Sequence, residues 1–330
     1  MKEQFFYGHG KLLLSSEYLV MNGAKALCLP TTVGQTMSVK YRASYDPKIY
    51  WKSFDYTGNE WFSATFDRWK LECVDNSSED AKTLSLILQQ ARKQNVHFLR
   101  EEYDVYVETR LEFPIDWGLG SSSSLMYNIA QWAYVSPFEL LNKTFGGSGY
   151  DIACAQSMGP IIFENSNNLP KWSEVSFRPH FKDQLYFLYL NRKQNSREAV
   201  EHYQNVEVKN KEELATKLSR LTEQMLQAID LNEFEQIIFE HENIISQVLG
   251  KKRVQEELFP EYWGAIKSLG AWGGDFALVT SSESFEKTRE FFFERGFKTF
   301  LPYDEIIRQP MMNFQSNQAG DTSFIENNFQ

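Results

Sequence analysis

The segment with the strongest chemical signal is DWGLGSSSSL, at residues 116–125. Gly118 and Gly120 allow the backbone to turn its N–H groups toward one point. A predicted helix follows, and its N-terminus would add positive partial charge. The serine hydroxyls could add hydrogen-bond donors or a metal ligand. The segment can therefore hold a polyphosphate, although a tight glycine turn followed by serines that cap the helix would have the same pattern.

This segment does not match either of two known phosphate-binding motifs well. A Walker loop would end in Gly-Lys-Ser or Gly-Lys-Thr, and that ending is missing. A dinucleotide-binding loop is matched only as G-x-G-x-x-S, with Glu139 about 20 residues further on. No second strand of a βαβ unit is predicted before the next glycine turn, so this match is weak.

Three more segments combine glycines with a charged residue. In GGSGYDIACA (146–155), Asp151 stands where an apolar helix begins. It could be an N-cap, which stabilises a helix by about 0.5–2 kcal/mol, or a base that orients a substrate hydroxyl. In SLGAWGGDFALV (268–279), a glycine turn enters a predicted strand. In GKLLLSSEYLV (10–20), Lys11 taken alone would be a surface lysine at the end of a strand.

The composition limits the class of partner. The chain has 330 residues, 42% hydrophobic and 24% charged, which is typical of a globular protein with one large or two ordinary domains. The formal net charge of −10 opposes binding to nucleic acid or to an anionic membrane, so any phosphate site must be built locally. Three distant cysteines indicate neither a disulfide framework nor a zinc site. We expect a cytoplasmic protein with no signal peptide and no membrane span.

Hydrophobic periodicity predicts an α+β chain. Strands are predicted near 31–42, 50–54, 61–66, 103–113, 183–190, 276–280 and 297–301. Helices are predicted at 79–94, capped by Ser77-Ser78, and at 125–135, 197–203, 262–269 and 285–295. Residues 211–249 predict two amphipathic helices that divide near 230–232, with Gly250 as C-cap. Weak periodicity predicts that residues 311–330 pack loosely.

Together and in this order, the four glycine-containing segments resemble the GHMP kinase superfamily, named for galactokinase, homoserine kinase, mevalonate kinase and phosphomevalonate kinase. GKLLLSSEYLV resembles the N-terminal substrate strand of that family, GK…GE(H/Y)xV, with Ser16 where a glycine is usual. GLGSSSSL resembles its phosphate loop GLGSSAA, GGSGYDIA its SGxD catalytic turn, and SLGAWGGDFAL its GAGGGG loop. The resemblance spans residues 8 to about 301, and the ordered set is far more specific than any single segment.

The resemblance implies ATP and Mg²⁺ as cofactors and a role for each motif. Asp151 would be the catalytic aspartate, and Lys11 its cationic partner that holds the transferring phosphoryl group. The ATP phosphates would be bound by Gly118, Leu119, Gly120, Ser121, Ser122 and Ser123. The substrate would be bound by Glu17, Ser148, Gly149, Ser196, Arg197, Gly270, Ala271, Gly273 and Gly274. Lys193 and Gln194 precede Ser196 in what resembles the substrate loop of the second domain.

Two further features depart from the family pattern. Bulky Trp272 replaces a small residue, so its ring either lines the substrate pocket or packs in the interior. The stretch between Leu125 and Ser148 is short by about one helix, in the region that normally carries a Mg²⁺-binding glutamate. Ser122 and Glu139 are the candidate metal ligands, although Glu139 could equally be a solvated charge on a helix.

The resemblance also implies a two-domain α+β fold, the GHMP kinase fold. Residues 1–165 would form an ATP-binding and catalytic domain similar to domain 2 of ribosomal protein S5. Residues 166–310 would form a ferredoxin-like α/β sandwich, and 311–330 a loosely ordered tail. The active site would lie between the two domains.

The function implied is ATP-dependent phosphorylation of a small molecule. Mevalonate or phosphomevalonate is favoured because Glu17-Tyr18 and GGDFAL (273–278) resemble the phosphomevalonate kinases. Lys11, Lys193 and Arg197 could bind an acceptor that is already phosphorylated. Two alternatives stay open: a nucleotide- or metabolite-binding protein on a kinase scaffold, and an enzyme similar to the mevalonate diphosphate decarboxylases. We expect a small-molecule substrate as partner, no nucleic acid or membrane, and a monomer or homodimer.

Overall fold

A computed structural model describes residues 3–166, 169–194, 196–206 and 208–310. The described residues form eleven strands: β1 (Glu3–Leu13), β2 (Ala26–Ala43), β3 (Lys48–Phe54), β4 (Glu60–Asp67), β5 (Tyr103–Leu111), β6 (Ile161–Ser166), β7 (Leu169–Glu174), β8 (Leu185–Tyr189), β9 (Ile266–Ser268), β10 (Phe276–Thr280) and β11 (Phe300–Pro302). They also form ten α-helices: α1 (Glu79–Gln94), α2 (Ser121–Ala133), α3 (Pro137–Thr144), α4 (Tyr150–Gln156), α5 (Ser196–Asn205), α6 (Lys211–Gln227), α7 (Leu231–Leu249), α8 (Val254–Leu258), α9 (Phe285–Glu294) and α10 (Tyr303–Ile306). The predicted tail at 311–330 lies outside the described residues.

The first sheet has seven strands. Its order is β4-β3-β5-β2-β6-β7, and β1 pairs with the other edge of β2. All neighbours are antiparallel except β3 and β5, which run parallel. The long strand β2 pairs with β6 at residues 26–28 and with β5 at residues 35–43. This strand therefore joins the two halves of the sheet.

Helices α1 to α4 contribute to the core on one face of this sheet. Alternate residues of β5 are buried, among them Val105 and Val107, as expected for a strand with one covered face. These residues pack in one hydrophobic core with Leu88 of α1, Ile129 of α2 and Ile152 of α4. The packing fixes the position of α2 and α4 relative to the strands.

The second sheet is buried on both faces. It has four antiparallel strands in the order β11-β8-β10-β9. All five residues of β8 are buried, and they alternate between two cores. Phe187 packs with α6 and α7, whereas Leu188 packs with α8 and α9. This explains why LYFLY reads as a continuous apolar run rather than an alternating one.

Local sequence signals predicted most of these elements, and one prediction is wrong. Helix α1 has the predicted bounds, and its N-cap Ser78 accepts the N–H of Ala81 at 3.2 Å. The helix predicted at 262–269 does not form; its last residues are instead the strand β9, which pairs with β10. Tyr262 and Ile266 are both buried in the core beside that sheet, so their helical spacing reflects a turn followed by a strand.

One hydrophobic core joins the two sheets. It contains Leu12 and Leu119 from the first part of the chain, and Phe187 and Phe276 from the second sheet. The β6–β7 hairpin extends the first sheet to Glu174, and the domain division at 165/166 stays a prediction. Among the described residues, no helix is both long and apolar enough to cross a membrane.

Candidate active site

The glycine- and serine-rich segment forms a tight loop that runs into α2. After the motif that it resembles, we call residues 118–124 the phosphate loop. Gly118 and Gly120 have φ angles of 68° and 85°, in the left-handed region that other residues adopt only with strain. Gly120 is the N-cap of α2, and no side chain caps this helix, so the serine-cap interpretation is wrong. The Gly120 carbonyl accepts the N–H groups three and four residues later. The N–H groups of Ser121 and Ser122 therefore have no partner within the helix, which is the arrangement that binds anions at helix N-termini.

Lys11 connects β1 to this loop. It faces Pro30 next to a register shift in the β1–β2 pair, and its backbone N–H donates to the carbonyl of Leu119 at 2.9 Å. Its ammonium donates to the carbonyl of Gly118 at 3.0 Å, and a side chain at Gly120 would come within 3.2 Å of the lysine stem. Only 9% of Lys11 is exposed. The interpretation of Lys11 as a surface lysine is therefore wrong.

Asp151 lies in the first turn of α4, facing Lys11. Gly149 is the N-cap of α4 and Asp151 is the second residue of the helix, so Asp151 is not an N-cap. Its Oδ1 atom is buried, has no hydrogen-bond partner among the described residues, and lies 3.8 Å from Lys11 Nζ. The Lys11 ammonium also lies 5.7 Å from the centre of the Tyr150 ring. The structure thus brings Lys11, Asp151 and the phosphate loop together.

Asp275, in the glycine loop between β9 and β10, packs against the phosphate loop. A side chain at Gly118 would place its Cβ only 2.3 Å from Asp275 Oδ2. Burial raises the pKa of Asp275, while an N–H donated by Gln194 at 3.1 Å and the charge of Lys11 oppose that rise. The sequence prediction missed this residue. Its only signal was an acidic residue between a glycine turn and an apolar strand.

Trp272, in the same loop, is buried rather than exposed to a pocket. It is 1% exposed, and its Nε1–H donates to Glu242 at 3.2 Å, so of the two predicted roles the structure supports packing. The neighbouring Ala271 carbonyl accepts the hydroxyl of Tyr18 at 2.9 Å. A side chain at Gly274 would overlap Gln194. The Tyr18 contact holds the loop in position relative to the segment that follows β1.

Glu17 lies in the interior, among other ionisable side chains. It is fully buried, and its Oε1 accepts a hydrogen bond from the ammonium of Lys267. Burial raises the pKa of Glu17 to about 7, although Lys267 opposes this. His241 Nε2 lies 3.5 Å away and accepts the N–H of Ser16 at 2.8 Å, so the histidine is neutral. Burial lowers the pKa of His241 well below its ordinary value.

The same buried cluster contains a second carboxylate, that of Glu242. Its Oε1 lies 3.7 Å from Lys267 Nζ, and its Oε2 accepts the hydroxyl of Ser268 at 3.3 Å. We call Glu17, His241, Glu242 and Lys267 the ion cluster. The sequence prediction missed the last three, although His241 falls on the apolar stripe of α7, three residues after Ile238. A polar residue on such a stripe was the available signal.

The predicted metal ligands do not come together. The side chain of Glu139 is exposed on α3, whose N-cap Ser136 accepts the Glu139 N–H at 3.3 Å. Ser122 is exposed at the first turn of α2. In the described part of the chain, no group of three or more His, Cys, Asp or Glu residues could hold a metal ion. A Mg²⁺ ion bound mainly through nucleotide phosphates needs only one or two protein carboxylates, so Mg²⁺ binding at this site remains a prediction.

The remaining predicted substrate ligands are only partly placed. Ser148 is half-buried, and its carbonyl accepts a hydrogen bond from Asn165 at 3.2 Å. Lys193 is exposed, after β8. Ser196 and Arg197 begin α5, and their side chains lie outside what the structure describes. Gly270 and Gly273 have open space where a side chain would point, and their roles remain predictions.

The fold is that of known small-molecule kinases. The Lin0012 protein from Listeria innocua superposes with a TM-score of 0.70 at 16% identity, over 91% of this chain and 97% of that one. Mevalonate kinase from Methanococcus jannaschii superposes with a TM-score of 0.64 at 15% identity, over 89% of this chain and 95% of that one. Phosphomevalonate kinase from Streptococcus pneumoniae, in complex with phosphomevalonate and AMPPNP, superposes with a TM-score of 0.64 at 14% identity. The match covers 91% of this chain and 99% of that one. No protein-family model and no curated protein matches the sequence. The predicted GHMP kinase fold is thereby confirmed.

Proposed function

We propose that this protein is an ATP-dependent small-molecule kinase of the GHMP superfamily. It would transfer the γ-phosphoryl group of ATP to a hydroxyl or phosphate acceptor. The observation that carries the proposal is the position of the Lys11 ammonium, 3.0 Å from the Gly118 carbonyl and 3.8 Å from Asp151 Oδ1. One buried cation thus stands between an anion-binding loop and a carboxylate. This is the set of groups that phosphoryl transfer requires.

Each residue has a physical role in this proposal. The N–H groups of Ser121 and Ser122 and the N-terminus of α2 would bind the ATP phosphates. Lys11 would neutralise charge on the transferring phosphoryl group, in a site where burial strengthens its effect. Asp151 would orient the acceptor hydroxyl and accept its proton. Mg²⁺, bound through the phosphates and Ser122, would supply further charge neutralisation.

We propose mevalonate or phosphomevalonate as acceptor, and a cytoplasmic role in isoprenoid precursor synthesis. Support comes from Glu17-Tyr18 and from the segment at 273–278, which resemble the phosphomevalonate kinases. Mevalonate kinase and phosphomevalonate kinase are also among the solved structures with this fold. The basic residues Lys11 and Lys193 would favour a phosphorylated acceptor.

The test is release of ADP from Mg²⁺-ATP in the presence of mevalonate, phosphomevalonate, or a panel of sugars and amino alcohols. With the acceptor identified, Asp151→Asn should lower turnover by about 10²–10⁴-fold. The fold should persist, since the buried Oδ1 makes no hydrogen bond among the described residues. Asp80→Asn is the matched control, because Asp80 also lies in the first turn of a helix, α1, but is exposed. Full activity of Asp151→Asn would refute the assignment.

A binding protein on this scaffold is the second candidate. It is favoured by the exposed position of Glu139, the one carboxylate among the predicted metal ligands. ATP binding without transfer to any acceptor would support it, and measurable transfer would exclude it. Release of carbon dioxide from mevalonate diphosphate would instead indicate a decarboxylase.

A further inference from the structure

A cavity of about 520 Å³ lies at the far end of α2 from the phosphate loop. The 13 residues of α2 place it about 20 Å from that loop. Its walls come from the start of β1, the end of β2, the start of β5 and the segment after α1. Its volume is within the range of small-molecule sites. No residue of the candidate active site lines it.

Aromatic rings form much of the cavity wall. Tyr41 and Tyr103 pack edge to face with their ring centres 6.4 Å apart. Phe98 and Trp132 pack in the same way at 4.7 Å. The Trp132 Nε1–H donates to the hydroxyl of Tyr41 at 2.6 Å, so these rings are held in place. The wall can therefore accept the planar or apolar body of a ligand without rearrangement.

The same cavity is lined by cationic groups with too few anionic partners. Arg68 is 1% exposed, and it donates through Nε and Nη1 to the carbonyls of Leu99 and Tyr103. Among the described residues it has no ion pair with a carboxylate. Burial lowers its pKa, although the charges of Glu101 and Asp104 oppose this. Arg100 lines the cavity and is exposed, and Glu101 is the one carboxylate that lines it. A buried cation without a counter-ion is unfavourable, so an anion here would be stabilised.

Arg92, which donates to the backbone carbonyl of Arg68 at 2.7 Å, is also a buried cation without an ion pair among the described residues. It is 8% exposed and donates four hydrogen bonds, all to backbone carbonyls. Burial, together with the charges of Arg100 and Arg68, lowers its pKa to about 10, although Asp67 opposes this. Arg68 and Arg92 thus bring two buried positive charges to this end of the domain, in a chain whose overall charge is −10.

Tyr134 lies at the rim of the cavity and has an unfavourable left-handed backbone conformation. It is the C-cap of α2 with a φ angle of 53°, a left-handed position that glycine usually occupies. A tyrosine there is strained, and 83% of it is exposed, so its ring adds little burial in return. The C-terminus of α2 carries partial negative charge, and the Asn95 amide offsets part of it by donating to the carbonyl of Ala133 at 2.7 Å. An exposed, strained ring beside a cationic cavity indicates a contact with a ligand.

We propose that this cavity is a second ligand site, which binds a small organic anion with a planar or apolar body. The rings of Tyr103 and Tyr134 would contact the body, and Arg68 and Arg100 would bind a carboxylate, sulfonate or phosphate group. The site is separate from the proposed ATP site and does not depend on the kinase function.

The test uses two fluorescent probes that differ in charge. 8-Anilinonaphthalene-1-sulfonate is an aromatic anion, and N-phenyl-1-naphthylamine is its uncharged counterpart. We expect the anion to bind at least about tenfold more tightly, and millimolar Mg²⁺-ATP not to displace it. Arg100→Glu should weaken binding of the anion at least about tenfold and leave the neutral probe unchanged. Tyr134→Gly should weaken both probes, with an equal or higher melting temperature because the strained φ is relieved.

Two control variants make comparable changes elsewhere, a charge reversal and the removal of an exposed ring. Lys171→Glu reverses an exposed charge on β7, and Tyr45→Ala removes an exposed ring between β2 and β3. Both should bind the anionic probe as the unmodified protein does. The proposal is overturned if the anion does not bind or if ATP displaces it. Equal affinity for the two probes, or unchanged binding in Arg100→Glu and Tyr134→Gly, would overturn it as well.

Discussion

The ion cluster gives a stringent test of the structure, through the variant Lys267→Met. The ammonium of Lys267 contacts Glu17 and lies 3.7 Å from Glu242 Oε1, and all three side chains are at most 1% exposed. Methionine keeps an apolar stem of similar length but leaves two buried carboxyls without a cation. Removing one partner of a buried ion pair costs about 3–5 kcal/mol. We expect the free energy of unfolding to fall by about this amount at about pH 8.

The loss should depend on pH because the buried carboxyls can take up protons. Burial raises the pKa of Glu17 from its ordinary 4.5 to about 7. The folded state therefore holds this proton more tightly than the unfolded state, and the Glu17 contribution to stability falls as pH rises from about 4.5 to about 7. Without Lys267 the pKa of Glu17 rises further, so near about pH 5.5 this carboxyl is neutral, and the raised pKa of Glu242 acts in the same direction. There the loss should shrink to about 1–2 kcal/mol, the value for the lost hydrogen bonds.

The measurement is urea unfolding followed by circular dichroism at both pH values. Adding Glu17→Gln to Lys267→Met should restore part of the stability at about pH 8, because one uncompensated charge is removed. Lys25→Met is the control: the Lys25–Glu223 pair is 40% and 50% exposed, so its loss should cost less than about 1 kcal/mol. Equal losses at the two pH values would contradict the argument that Lys267 compensates buried negative charge.

The phosphate loop and the cysteines supply two further tests. In urea unfolding, Gly118→Ala should lower the free energy of unfolding by about 1–3 kcal/mol more than Gly146→Ala does. Both glycines have left-handed φ angles, but only at Gly118 would the new Cβ meet another atom, Asp275 Oδ2 at 2.3 Å. In the native protein a thiol reagent should modify one cysteine per chain, half-buried Cys73, since the other two are buried; rapid reaction of all three would contradict the structure.

The elements that the sequence predicted correctly are governed by local signals. Helix α1 combines a serine N-cap with apolar residues at helical spacing, and both signals lie within its own 16 residues. The division between α6 and α7 follows from Asp230, whose side chain accepts the N–H of Glu233 at 2.9 Å. The convergence of Lys11, Asp151 and the phosphate loop could be predicted only through the family resemblance, because these residues are far apart along the chain.

The features that the sequence did not predict depend on long-range contacts. Lys267 fell within a predicted helix, because Tyr262 and Ile266 have helical spacing, yet its segment becomes a strand through pairing with β10. Its partner Glu17 is 250 positions away. The burial of Glu17 depends on the same long-range contact: the resemblance implies a substrate ligand, the structure buries its side chain beside Lys267, and its role stays a prediction.

Two of the departures from the family pattern, Ser16 and Trp272, share a left-handed backbone conformation. Ser16 stands where glycine is usual and Trp272 where a small residue is usual, and their φ angles are 63° and 51°, both left-handed. Asp275 in the same loop has a φ of 50°. Such angles cost an L-residue roughly 1–2 kcal/mol, and each side chain here makes a compensating hydrogen bond. Ser16 Oγ donates to the Lys25 carbonyl at 2.6 Å, Trp272 Nε1 donates to Glu242, and Asp275 accepts a backbone N–H. At all three positions a hydrogen bond of the side chain itself therefore offsets part of the cost of the left-handed backbone.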